Sequence, residues 1–182
     1  MWLDKSILTY TVSAILYIFL LIYMLIKKYE IKKIGYITLL YLYGIRIFYI
    51  TILPIPLDVV GVESLQILSE NSSYIKLIPF SDIFTYNIDS FIKQSIENIV
   101  NFIPLGFLLP LIYNKCRNFK SVIKYSFATS LLIESIQLII SFIIIRAPFR
   151  IFDINDLLLN TLGGILGYIL YINIKKIIRK EE

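Results

Sequence analysis

Residues 133–167 read IESIQLIISFIIIRAPFRIFDINDLLLNTLGGILG, and the reading of this stretch decides the fold. It sets Glu134 inside an apolar run and crowds Arg146, Arg150, Asp153 and Asp156 into the connection that follows. A second apolar run then carries Asn160, Gly163, Gly164 and Gly167. Each run is long enough to cross hydrocarbon. A segment facing only lipid has no use for such groups, because an ionisable side chain at the bilayer centre costs about 2.5–3.5 kcal/mol even on the lenient insertion scale. Function is expected where these groups meet.

The remainder of the chain agrees with a membrane setting. Hydrophobic residues make up 58% and charged residues 17%, with mean hydropathy +0.77, outside the range of soluble globular domains. Cys116 is the single cysteine, so no internal disulfide forms. Histidine is absent, which excludes a Ser-His-Asp triad, a His-ligated zinc site and phosphohistidine chemistry. The net charge of +5 is accounted for by cytoplasmic loops, and no nucleic-acid partner is expected.

Working outward, apolar runs predict five spanning helices: Ile7–Ile26, Ile34–Leu53, Ile96–Tyr113, Val122–Ile145 and Leu157–Ile174. The first is too long for a signal peptide's apolar region and shows no small-residue cleavage site, so it reads as a retained helix. Lys27, Lys28, Lys32 and Lys33 follow the first span. Lys115, Arg117, Lys120 and Lys124 follow the third, and Lys175, Lys176, Arg179 and Lys180 the fifth. With five spans these clusters share a side, which predicts an all-α integral membrane bundle, N-terminus out and C-terminus in. Between spans two and three, Pro54 and Pro56 stop the helix. The residues up to Ser95 have helical amphipathic spacing, either as outer-side interfacial helices or as a lid over the helix ends.

Polar groups recur at helical spacing. Ser130, Glu134, Gln137 and Ser141 share one face of span four. Counted from Arg146, Glu134 lies roughly 18 Å in, near the midplane. There it must be protonated, solvated from a cavity, or paired; Arg46, the lone cation within span two, is the candidate for a purely structural pair. Glu97, Asn98 and Asn101 open span three, where Pro104 and Gly106 predict a packing kink or a tilt toward a shared cavity. Asp153, Asp156, Asn160, Gly163 or Gly164, and Gly167 form a stripe on span five, with Asp153 placed to cap it. Gly163 and Gly167 make a small-xxx-small face suited to close helix packing.

Four of these blocks resemble the VanZ-like family of bacterial membrane proteins. They are LIPF at Leu77–Phe80, NIVNFIPLGFLLP at Asn98–Pro110, IESIQ at Ile133–Gln137, and RIFDINDLLLNTLGGILG at Arg150–Gly167. Lys76 departs from the family, which often has asparagine there. The resemblance implies a multi-pass protein of the bacterial plasma membrane. It also implies an association with lowered susceptibility to teicoplanin, a glycopeptide carrying a fatty acyl chain that vancomycin lacks. It divides the chain into an additional helix and basic loop at 1–33 and a VanZ-like domain at 34–182.

Three functions follow. In the first, Asn98, Asn101, Glu134, Gln137, Arg150, Asp153, Asp156 and Asn160 bind a lipoglycopeptide or lipid-linked cell-wall precursor at the outer leaflet, without a cofactor or metal. Arg146 and Arg150 are available there to an anionic group. In the second, an enzyme uses Glu134 as acid or base with Asp153 and Asp156 orienting a nucleophile or binding a metal. In the third, a homo- or hetero-oligomer forms through span five, among membrane lipids.

Overall fold

The computed structural model describes residues 2–3, 7–56, 59–69, 72–81 and 88–181. In chain order the helices are α1 (Ile7–Ile26), α2 (Ile31–Thr51), the short α3 (Val59–Leu68), α4 (Ile88–Ile112), α5 (Phe119–Ile139) and α6 (Ile154–Glu181). A π-helix at Ile140–Ile145 prolongs α5. All but α3 are long and apolar enough to cross a membrane. Two small ladders tie the connections: β1 (Trp2–Leu3) runs antiparallel to β2 (Ile55–Pro56), and β3 (Ile75–Lys76) parallel to β4 (Phe152–Asp153).

The expected spans are present, with shifted ends. α4 begins at Ile88 rather than Ile96, because Asp89 stands in its first turn, where a carboxylate suits the helix dipole. Lys93 and Glu97 pair across one exposed turn at 4.0 Å. α5 starts at an N-cap, Asn118, whose side chain accepts from the Ser121 amide at 2.8 Å. Of the two readings for the outer segment, α3 takes the lid. Val62 and Leu65 pack against Tyr49, Leu53, Ile140 and Ile145, and Gln66 Nε2 donates to the Ile145 carbonyl at 3.0 Å. The second expected outer helix falls partly on residues 82–87, outside the described residues, while Ile88 onward belongs to α4.

α4 and α6 form the spine, lying parallel and in direct backbone contact. A Cβ placed on Gly106 would overlap the Gly164 carbonyl oxygen; on Gly163 or Gly167 it would overlap the carbonyl oxygens of Ile99 and Ile103. At Gly164 it would strike Ser126 Oγ of α5. The glycine stripe is therefore used inside the chain, where absent side chains let backbones approach. Pro104 lies within this contact region of α4.

Two apolar clusters bracket the bundle. One gathers Tyr49, Ile52, Leu53, Ile140 and Ile145 near the lid, and the other Phe102, Leu109, Cys116, Val122, Tyr168 and Tyr171 toward the opposite end. The polar groups lie between them.

The basic segments converge at that opposite end. Lys28, Lys32 and Lys33 line one groove with Lys115 and Arg117, and Arg117 lines a neighbouring one with Lys175 and Lys176. A single cationic end is what a uniform orientation requires, and the positive-inside rule predicts that it faces the cytoplasm. Green fluorescent protein fused after Glu182 is accordingly expected to fluoresce, and alkaline phosphatase fused there to be inactive. Active phosphatase would reverse the orientation.

Candidate functional site

The site follows from how the chain enters α6. Arg146, in a left-handed conformation at φ 57°, ends the π-helix, an uncommon backbone state for a residue with a Cβ. The chain then folds back along α5. Ser141 clamps this return, donating from Oγ to the Arg150 carbonyl at 2.7 Å and accepting from the Arg150 amide at 2.8 Å. Asp153 N donates to Glu134 Oε2 at 3.1 Å. α6 therefore starts at the level of Glu134, well inside the end of α5. Non-helical backbone at such depth is tolerated where protein buries it or it lines a cavity.

Gln137 Nε2 donates to the carbonyl of Thr51, the last residue of α2, at 2.8 Å. Glu134, one turn further in along α5, thus lies about one turn below the lid-side end of α2.

A cavity of about 520 Å³ opens here between α2, α4, α5 and the start of α6. Seven of the eight expected binding residues line it: Asn98, Asn101, Glu134, Gln137, Arg150, Asp156 and Asn160. Asp153 stands behind them, buried at 5% exposure, where its Oδ1 accepts from the Asn155 amide at 2.8 Å and caps α6. Arg146 is exposed and does not line the cavity. Arg46, Thr51, Gln94 and Glu97 do, and none was among the expected binding residues. Arg46 was legible as the lone cation of its span. Gln94, four residues before Asn98, lay outside the expected start of the helix.

The hydrogen bonds fix most of the polar wall. Arg46 Nη1 donates to Asn101 Oδ1 at 3.1 Å, so the Arg46–Glu134 structural pair does not form. Asn98 Nδ2 donates to Asp156 Oδ1 at 2.6 Å. Asn160 Nδ2 donates to Ser130 Oγ at 2.9 Å. The LIPF segment docks at the same place: the Phe80 amide donates to Asn155 Oδ1 at 2.8 Å, and the β3–β4 ladder sets Lys76 opposite Asp153. Glu134 is 2% exposed, and among the described residues no cation forms an ion pair with it.

Arg150 is held differently. Burial pulls its guanidinium down from the ordinary arginine value, and its Nε is buried without a hydrogen-bond partner among the described residues. A buried donor left unpaired costs roughly 1–3 kcal/mol. The cavity lining thus includes the guanidinium groups of Arg46 and Arg150 and the carboxyl groups of Glu97, Glu134 and Asp156. Among the described residues no three Asp, Glu or Cys are placed to hold a metal ion.

The capping role of Asp153 separates from the cavity by mutation. Asp153→Ala is expected to lower stability by about 1 kcal/mol, while Asp153→Asn, which keeps an acceptor oxygen, loses a few tenths. Thermal unfolding in detergent checks this; equal losses in both would mean that charge, not capping, is what matters there.

A family model described as VanZ/LLP1 matches residues 38–178, from within α2 to near the end of α6. α1 lies outside the match. No curated protein and no solved structure matches the chain.

Proposed function

We propose that this chain, which belongs to the VanZ/LLP1 family, is a multi-pass plasma-membrane protein that recognises a lipidated or lipid-linked envelope ligand without transforming it. The head group enters the cavity beside Glu134. The observation that carries this reading is the presence, in one cavity, of Arg150, whose buried Nε has no hydrogen-bond partner among the described residues, and of Glu134, which has no cation of its own among them. Guanidinium groups take phosphate or carboxylate in a bidentate manner, and carboxylates accept from sugar hydroxyls or amines. An anionic group beside hydrogen-bond donors is the head-group chemistry of lipid-linked envelope molecules. The cavity opens past the exposed Arg46, Gln94 and Glu97, and the exposed apolar faces of the helices leave lipid beside it for the ligand's tail.

The family's association with teicoplanin supplies the test, since teicoplanin carries an acyl chain and vancomycin does not. A sensitive bacterial host expressing the protein is expected to become less susceptible to teicoplanin, with vancomycin susceptibility unchanged. No protection by well-expressed protein would remove lipoglycopeptides from the ligand class.

A further inference from the structure

A second site lies at the basic end, remote from the cavity beside Glu134. The turn between α1 and α2 and the turn after α4 enclose a groove of about 1120 Å³. Its charged lining is Lys28, Lys32, Lys33, Lys115 and Arg117, opposed by the single acid Glu30. Tyr36, Leu111 and Arg117 also line an adjoining groove of about 460 Å³, whose other walls include Phe107, Ile174 and Ile178. A basic basin thus continues into an apolar channel between α2, α4 and α6.

Arg117 stands at the junction and is held in place. Its Nε donates to the Pro110 carbonyl at 3.4 Å, near the C-terminus of α4, and its own carbonyl accepts from Tyr168 Oη at 2.8 Å. Its two terminal nitrogens make no hydrogen bond among the described residues. On the α6 side it is joined by Lys175, which lines both the apolar channel and a third small groove with Arg117.

We propose that this junction binds an anionic phospholipid of the adjoining leaflet. Arg117 and Lys175 hold its phosphate, the lysines of the basin hold further negative charge, and one acyl chain follows Phe107, Ile174 and Ile178. The positive-inside rule accounts for basic loops on one side. It does not require that they form a concave basin, nor that the basin open onto an apolar channel. Basic pockets between membrane helices on that side suit anionic head groups, and the planar guanidinium suits phosphate. The apolar groove adjoining the basic basin at Arg117 argues for a lipid rather than free phosphate.

The test is native mass spectrometry of the full chain in mild detergent with added phosphatidylglycerol or phosphatidylcholine. Wild type is expected to retain phosphatidylglycerol preferentially, and millimolar inorganic phosphate is expected not to displace it. Arg117→Gln with Lys175→Gln is expected to lower occupancy roughly tenfold. Because Arg117 also bonds the end of α4, Lys32→Gln with Lys115→Gln provides a second test at exposed positions whose side chains make no hydrogen bond among the described residues, and is expected to lower occupancy too. Lys120→Gln with Lys124→Gln removes the same charge from exposed positions outside the grooves and is expected to bind as wild type. Equal loss in that control, equal retention of phosphatidylcholine, or displacement by inorganic phosphate would overturn the site.

Discussion

Gly106→Leu and Gly167→Leu are each expected to leave no stably folded protein in detergent, whereas Gly35→Ala and Gly44→Ala are expected to retain wild-type thermal stability. The difference lies in what a new side chain meets. At Gly106 and Gly167 even a Cβ overlaps a carbonyl oxygen of the facing helix, and backbone cannot swing aside as a flexible side chain can. Overpacking costs about 1–3 kcal/mol where side chains yield, and a rigid contact lies at or beyond the upper end. Total stability is about 5–15 kcal/mol, and separating α4 from α6 would also strain the Asn98–Asp156 hydrogen bond. A Cβ added at Gly35 or Gly44 in α2 would meet no atom of another element within 4 Å among the described residues. Fluorescence-detected size exclusion after a heating series measures all four variants; a folded, monodisperse Gly167→Leu would mean that the α4–α6 crossing is not as close as described.

Glu134→Gln and Asp156→Asn are expected to return teicoplanin susceptibility to that of the empty host, at membrane abundance equal to wild type. Both substitutions preserve an acceptor oxygen, for the Asp153 amide in one case and Asn98 Nδ2 in the other, so the local framework is kept. Each replaces a carboxyl group of the cavity wall by an amide. Leaving a buried donor or acceptor of the ligand unsatisfied costs about 1–3 kcal/mol, roughly five- to a hundredfold in affinity. Arg150→Gln is expected to act in the same direction from the other wall. Full protection by both carboxylate variants would separate the function from this cavity, and an enzymatic role for Glu134 would show as turnover of an envelope lipid lost in Glu134→Gln.

Much of the bundle is legible in local pattern. A twenty-residue apolar run needs no partner to be recognised as a span, and α1 runs from Ile7 to Ile26 as expected. The polar face of α5 is a matter of helical period alone: Ser130, Glu134, Gln137 and Ser141 are all buried. Capping is similarly local, so Asp153 could be placed at the start of α6 from its neighbours.

What spacing could not convey is which faces meet. The glycines of α6 announce close packing but not against what, since a second chain and α4 offer the same kind of surface; only the observed contacts with Ile99, Ile103 and Gly106 assign them to α4. Arg46 on span two and Glu134 on span four line the same cavity, yet Arg46 bonds Asn101. Their heights and rotations depend on helix packing, which no single helix encodes.

A helical membrane bundle with five spans and a polar face on the fourth is readable from the chain alone, because hydrophobic length and helical period are properties of each segment. The tertiary structure alone decided that residues 146–153 turn back into the bundle and that seven of the eight expected polar residues line one cavity with Arg46. That outcome rests on hydrogen bonds between residues far apart in the chain, such as Gln137 to Thr51 and Asn98 to Asp156, whose partners are chosen by packing rather than by spacing.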